Sequence, residues 1–203
     1  MTRVAGIVLA AGFSRRLGQP KQLVNLCGKP ALQYVLNAAR QAPLEPLIVV
    51  LSPQIAVAGS GLDTTGFAVV INERASEGQS TSIQAGLAAL PPDVDAVVFL
   101  LGDQPFLDPS VINRLVTCFE RTHAPIVRPR YVDGPGHPVL IARALFSELR
   151  ALHGDVGARP VLAAHAEEIV ECEILELASP LDLDTPEDVE RVRRRCQERA
   201  LHR

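Results

Sequence analysis

The chain lacks any apolar run long enough to cross a bilayer, so no membrane span is expected. Its first apolar run, Val4 to Ala10, is short and leads directly into Gly12 and charged residues, so it reads as a buried strand and not as a signal peptide. A large charge of one sign is also missing. The formal net charge is -3, which argues against a general nucleic-acid-binding surface and leaves room for a local basic site. Cysteine is sparse: Cys27, Cys118, Cys172 and Cys196 are scattered, form no C-x-x-C pair and have no histidine at metal-ligand spacing. Zinc binding is therefore not expected of them. Reduced thiols in a cytoplasmic protein are, with Cys118 as packing in an apolar helical pattern.

The common phosphate fingerprints are absent as well. A Walker loop needs four residues between its glycines and then Lys-Ser/Thr, whereas here Phe13 to Leu17 separate Gly12 from Gly18 and Gln19 follows. The dinucleotide pattern G-x-G-x-x-G fails because Ala10 stands where its first Gly belongs. That absence counts against a nicotinamide-dependent oxidoreductase. There is no Ser-His-Asp arrangement to suggest nucleophilic hydrolysis.

What is present is a chain of 203 residues, 47% hydrophobic, in which strand-like runs alternate with helical patterns. Apolar runs occur at Val4–Ala10, Leu47–Leu51, Ala68–Ile71, Ala96–Leu101 and Ile126–Val127, and their continuity suits strands covered on both faces. Helical patterns fall at Ala31–Ala42, Thr81–Leu90 and Pro109–Arg121, with Asp108 as N-cap of the last. Further on, His137–Ile141 and Glu173–Leu177 read as strands, and Ala142–Leu152 and Ala158–His165 as short helices. A final helix starts after Thr185-Pro186, with Thr185 as N-cap and Asp188 replacing the usual Glu of a capping box. Its arginine-rich second half reads as a solvated helix end. The expected fold is α/β: one domain over residues 1–203, with a doubly wound, mostly parallel sheet and helices on both faces.

Three segments carry chemistry. In GIVLAAGFSRRLGQPKQL, a buried strand ends at Gly12 and a short loop holds Arg15, Arg16, Gly18 and Lys21. Backbone N–H groups in such a loop face anions, and three cations beside them suit a triphosphate. In LLGDQPFLDP, Asp103 stands just past the carboxyl end of a strand, where open α/β sheets bind ligands. It is a natural Mg²⁺ ligand, or else a turn-forming Asp before Gln-Pro. In LDLDTPEDV, helix capping accounts for Thr185 and Asp188 but does not require Asp184, which is favoured as a second metal ligand with Asp182 as a supporting group.

These segments, with GKP, NERASEGQSTSIQAGL, GHPVLI and GDVGARPVL, resemble the MobA-like nucleotidyltransferase family along nearly the whole chain. Within it they look most like the molybdenum cofactor cytidylyltransferases, the MocA-like branch. The resemblance implies a nucleotide-diphospho-sugar-transferase-like fold and nucleotidyl transfer with loss of pyrophosphate. It implies that Leu9, Ala10, Ala11, Gly12 and Ser14 face the base and phosphates, and that Arg16 and Lys21 hold the triphosphate. Asp103 and Asp184 would hold Mg²⁺, and Ser82 would lie near the base or ribose. Ala11 and Ser14, as well as GDQP, follow the cytidylyl branch, while Gln79 departs from the apolar residue expected after Gly78.

The implied substrates are CTP and molybdopterin cofactor, with a molybdenum hydroxylase as a partner receiving the product. On the acceptor side stand His137, Asp155 and Arg159. His137 also reads as a strand-edge histidine with a backbone partner, Asp155 as an N-cap of the helix that follows it, and Arg159 as a partner for Asp155. Guanylyl transfer, another phosphorylated acceptor, or a carrier that delivers finished cofactor remain alternative readings.

Overall fold

The structure is a computed structural model and describes residues 2–12, 14 and 17–201. Its centre is an eight-stranded sheet. The strands are β1 (Val4–Ala10), β4 (Leu47–Leu51), β5 (Phe67–Ile71), β6 (Ala96–Leu101), β7 (Ile126–Tyr131), β8 (Gly134–Pro135), β9 (Val139–Ala142) and β10 (Ile169–Ile174). The spatial order is β10-β7-β9-β6-β1-β4-β5, with β8 beside β7. A separate two-stranded hairpin pairs β2 (Asn25–Leu26) with β3 (Lys29–Pro30). Strands β5, β4, β1 and β6 run parallel, as do β7 and β10; β9 runs antiparallel to β6 and β7. The sheet is thus mostly parallel but mixed.

The central strands are apolar throughout because both faces are covered. On one face, α1 (Ala31–Arg40) and α4 (Pro109–Thr122) bury Leu32, Val35, Leu36, Ile112, Leu115 and Phe119 against Val8, Val49, Val98 and Leu100. On the other, α3 (Gln79–Ala88), α5 (Phe146–Arg150) and α6 (Arg159–Ala164) bring Ile83, Leu87, Phe146, Leu149 and Val161 onto Ile7, Ile48, Val50, Val97 and Ile141. A third cluster forms where α7 (Pro186–Leu201) sets Val189, Val192 and Cys196 against Val24, Leu26 and Phe106.

The helix starts follow the sequence cues. Asp108 accepts a hydrogen bond from the Ser110 N–H at 2.9 Å. At α7, Thr185 Oγ1 accepts from the Asp188 N–H (3.2 Å) and the Asp188 carboxylate accepts from the Thr185 N–H (3.0 Å), a reciprocal capping box. Four findings differ from the sequence expectations. A short helix, α2 (Pro53–Ala58), is added, capped by Ser52. The strand expected at Glu173–Leu177 lies earlier, as β10 at Ile169–Ile174. The strand expected to end at Val127 runs on through Pro129 to Tyr131. Cys27 and Cys196, expected as scattered reduced thiols, form a disulfide. The cause of this last correction is tertiary: α7 packs on the β2–β3 hairpin and brings their Cα atoms to 6.4 Å.

Candidate active site

A cavity of about 760 Å³ opens at the carboxyl ends of β1 and β6, where parallel strands of open sheets present their ligand sites. The residues that line it come from separate stretches of chain. The end of β1 contributes Leu9, Ala11, Gly12 and Ser14, and the following 3₁₀ turn contributes Lys21 and Gln22. Alternation along β1 decides which side chains take part. Leu9 and Ala11 face the cavity side, whereas Ala10 turns into the opposite core, fully buried. Ala10, expected at the site, is therefore not part of the cavity lining and packs in the core instead.

The loop after β1 is closed on itself by two side chains. Ser14 Oγ accepts the Lys21 N–H at 2.6 Å, and Gln22 Nε2 donates to the Gly12 carbonyl at 3.2 Å. Gln22 is only 2% exposed, and its buried Oε1 has no hydrogen-bond partner among the described residues. Phe13, Arg15 and Arg16, and with them the expectation for Arg16, lie outside the described residues.

The opposite wall is the segment 75–79 and the first turn of α3, with Ser82 lining the cavity. Asn72, buried after β5, donates to Thr81 Oγ1 (2.9 Å) and Ser82 Oγ (3.0 Å) and so fixes that turn. Gly78 has φ +117°, a conformation that suits glycine, and a Cβ there would collide with the Gly154 and Asp155 backbone. The Gly154 carbonyl accepts the Ser80 N–H at 3.2 Å, and Asp155 Oδ1 accepts the Gln79 N–H at 3.1 Å. Asp155 thus caps α3, a helix distant in sequence, and not the helix that follows it. Arg159 also lines the cavity; its Nε donates to the Val156 carbonyl (3.2 Å), and among the described residues it forms no ion pair with Asp155.

At one end of the cavity, Asp103 and Asp184 share the ammonium of Lys21. Nζ contacts Asp103 Oδ2 and lies 2.7 Å from Asp184 Oδ1. Burial works against the charged lysine, but the two carboxylates outweigh it and hold its pKa above the usual lysine value. Asp182, on the same extended segment as Asp184, accepts from Gln104 Nε2 at 2.8 Å, which ties that segment to the turn carrying Asp103. Burial raises the Asp182 pKa, and the neighbouring carboxylates add to the effect.

His137 is absent from the cavity lining. Its carbonyl accepts from the Tyr131 hydroxyl (2.7 Å), its buried Nδ1 has no partner among the described residues, and burial lowers its pKa despite the Asp103 charge.

The fold therefore gathers Leu9, Ala11, Gly12, Ser14, Lys21, Ser82, Asp103, Asp155, Arg159 and Asp184 around one cavity. Sequence reasoning gave no role to Gln22 or to Ala75, Ser76 and Glu77, although both stretches lie within segments that carry the family resemblance. Chemically, cations and loop N–H groups suit a polyanion, and the paired carboxylates suit a cation. No nucleophile–base pair is needed for such a site.

Residues 6–169 match the MobA-like NTP transferase domain, and the chain belongs to that family. It is a nucleotidyltransferase of the MobA-like class. PucB of Bacillus subtilis, a purine catabolism protein, is 29% identical over 200 residues, spanning 93% of this chain and 95% of its own. A probable molybdenum cofactor guanylyltransferase of Natronomonas pharaonis is 30% identical over 203 residues, spanning 94% and 96%. The Rv0371c protein of Mycobacterium tuberculosis in complex with manganese superposes with a TM-score of 0.79 at 33% identity, covering 95% of this chain and 98% of that one.

Proposed function

We propose that the protein transfers a cytidylyl group from CTP to the terminal phosphate of molybdopterin cofactor, releasing pyrophosphate. The observation that carries the reading is the carboxylate pair, Asp103 and Asp184, closing on a cation at the end of a polar cavity beside the loop after β1. A relative named for the molybdenum cofactor supports the acceptor.

The acceptor is a phosphomonoester, whose second pKa near ~6 leaves it about a dianion at neutral pH. It needs no strong general base. One of its oxygens attacks the α-phosphorus of CTP, a new P–O bond forms, and the bond to the β-phosphate bridging oxygen breaks. The barrier is the approach of two polyanions, so positioning and electrostatics are what the protein must supply. The Gly12–Ser14 backbone and Lys21 would hold the triphosphate, with Arg16 added from sequence. Ser82 would lie against the base or ribose. Asp155 and Arg159 would meet the acceptor side.

The residues fit a divalent cation. Asp103 and Asp184 already embrace a positive charge. Among the described residues no group of three or more His, Cys, Asp or Glu could hold a metal, so the protein would offer two carboxylates and leave other positions to water and phosphate, as Mg²⁺ prefers. Such an ion would neutralise charge on the phosphates. The manganese complex of the mycobacterial relative supports divalent metal use.

Cytidylyl over guanylyl transfer rests on Ala11, whose methyl occupies cavity-side volume that glycine would leave free for a purine. Turnover with each of the four nucleoside triphosphates and molybdopterin cofactor, followed by pyrophosphate release, tests the proposal. CTP should be strongly preferred. A preference for GTP would overturn the cytidylyl assignment, and no turnover with any triphosphate would favour a carrier delivering finished cofactor to a molybdenum hydroxylase.

A further inference from the structure

We propose that Lys21 and a divalent cation are alternative occupants of the Asp103–Asp184 pair, so that Lys21 leaves the carboxylates for the triphosphate only when a cation takes its place. The inference rests on the metal-assisted reading above and concerns how the site is loaded.

Lys21 Nζ touches both carboxylates at once. A divalent ion bound by the same oxygens would need the space that Nζ fills, because its ligand distances are about 2.0–2.1 Å. The two cations therefore exclude each other. Without either, two carboxylates from separate segments would face each other uncompensated, with Asp103 only 9% exposed. With two of its three N–H donors on carboxylates, the ammonium has one left for a phosphate until it is displaced.

The surroundings allow the exchange. The Lys21 backbone is held by Ser14 Oγ at 2.6 Å, so only its flexible stem has to move. Lys21, Ser14 and Gly12 line the same cavity, so a released ammonium stays on the path of the phosphates. The 2.8 Å bond from Gln104 Nε2 to Asp182 ties the two carboxylate segments together without using Lys21. The pair thus keeps its spacing while its occupant changes. Linkage makes the coupling reciprocal: whatever draws Lys21 away raises cation affinity, and cation binding raises affinity for the triphosphate by the same factor.

The chain has lysine at only two positions, Lys21 and Lys29, which makes a direct test simple. Reductive methylation with mass-spectrometric readout should label Lys21 slowly and the exposed Lys29 quickly in metal-free protein. Adding Mg²⁺ should raise the Lys21 rate severalfold and leave Lys29 unchanged. In parallel, nucleotide-free Lys21→Met should bind Mn²⁺ on the order of tenfold more tightly than wild type by electron paramagnetic resonance. Tighter Mn²⁺ binding with no change in Lys21 labelling would mean that the lysine acts only through its field, and would overturn the exchange. Equal or weaker Mn²⁺ binding by Lys21→Met would overturn it too. Should Lys21→Met fail to fold by circular dichroism, the wild-type labelling decides alone. Asp103→Asn and Asp184→Asn separate the two levels of argument. If both still weaken Mn²⁺ binding, the metal site stands even where the exchange fails. If neither does, the metal reading itself falls, and the exchange with it.

Discussion

Asp103 sits two residues beyond β6, and Asp184 sits just before the cap of α7, yet both reach one ammonium. Asp103→Ala should leave a folded protein whose turnover with saturating CTP and Mg²⁺ falls on the order of a hundredfold or more. Near wild-type turnover would remove it from the metal site. Asp184→Ala should behave alike, and a mild effect would reduce it to a neighbour of the α7 cap. Lys21→Ala should raise the KM for CTP, lower kcat, or both, with little change in Tm. Unchanged kinetics with a lower Tm would make the lysine structural. For base choice, Ala11→Gly combined with Ser14→Ala should relax a CTP preference, read as the ratio of kcat/KM for CTP and GTP. Because Ser14 also holds the Lys21 N–H, Ala11→Gly alone is the cleaner probe. At this scale the sequence was legible where a polar residue interrupts an apolar strand end. It was not legible at Gln22, whose burial depends on the Gly12 carbonyl that it meets across the loop.

Among the elements, α3 contributes most to the site through its N-terminus, and its cap comes from outside. Asp155→Ala should cost about 1 kcal/mol of stability, the usual worth of an N-cap, measured by urea unfolding. It should also raise the KM for nucleotide, because the 75–79 wall loses its side-chain tie to the 154–155 turn and keeps only the backbone bond from Ser80 to Gly154. A loss of stability with nucleotide KM unchanged would make the tie purely structural. Gly78→Ala should be worse than Asp155→Ala, since it adds a disfavoured φ to a backbone collision. The covered strands and the α7 capping box were legible because they rest on local patterns. The β10 strand was misplaced because it is an edge strand: its Glu171 faces Arg128 and Arg130 of β7 (2.6 and 2.8 Å), and charges there break the apolar run that marks a buried strand. Pro129 hid the second half of β7 in the same way, since proline reads as the end of a strand.

Over the whole molecule, α7 closes the chain back onto the first hairpin and carries Asp184 to the site on the way. The Cys27–Cys196 bond joins residues 169 apart across that contact. Denatured protein kept free of reductant should titrate two thiols, Cys118 and Cys172, and four after reduction. Four thiols before reduction would return the protein to the reduced state that its sequence suggested. Reduction should also lower Tm, because the crosslink restricts the unfolded chain.

The alternation of buried strands and helices, the loop after β1 and the α7 cap were determined by the sequence alone, because each depends on neighbours a few residues away. The meeting of Asp103, Asp184 and Lys21, the capping of α3 by Asp155 and the turning of Ala10 away from the cavity were decided by tertiary structure. They depend on which strands lie side by side and which face of β1 the helices cover. Hydrophobic pattern specifies that a strand is buried; only the packed sheet specifies what stands opposite its end.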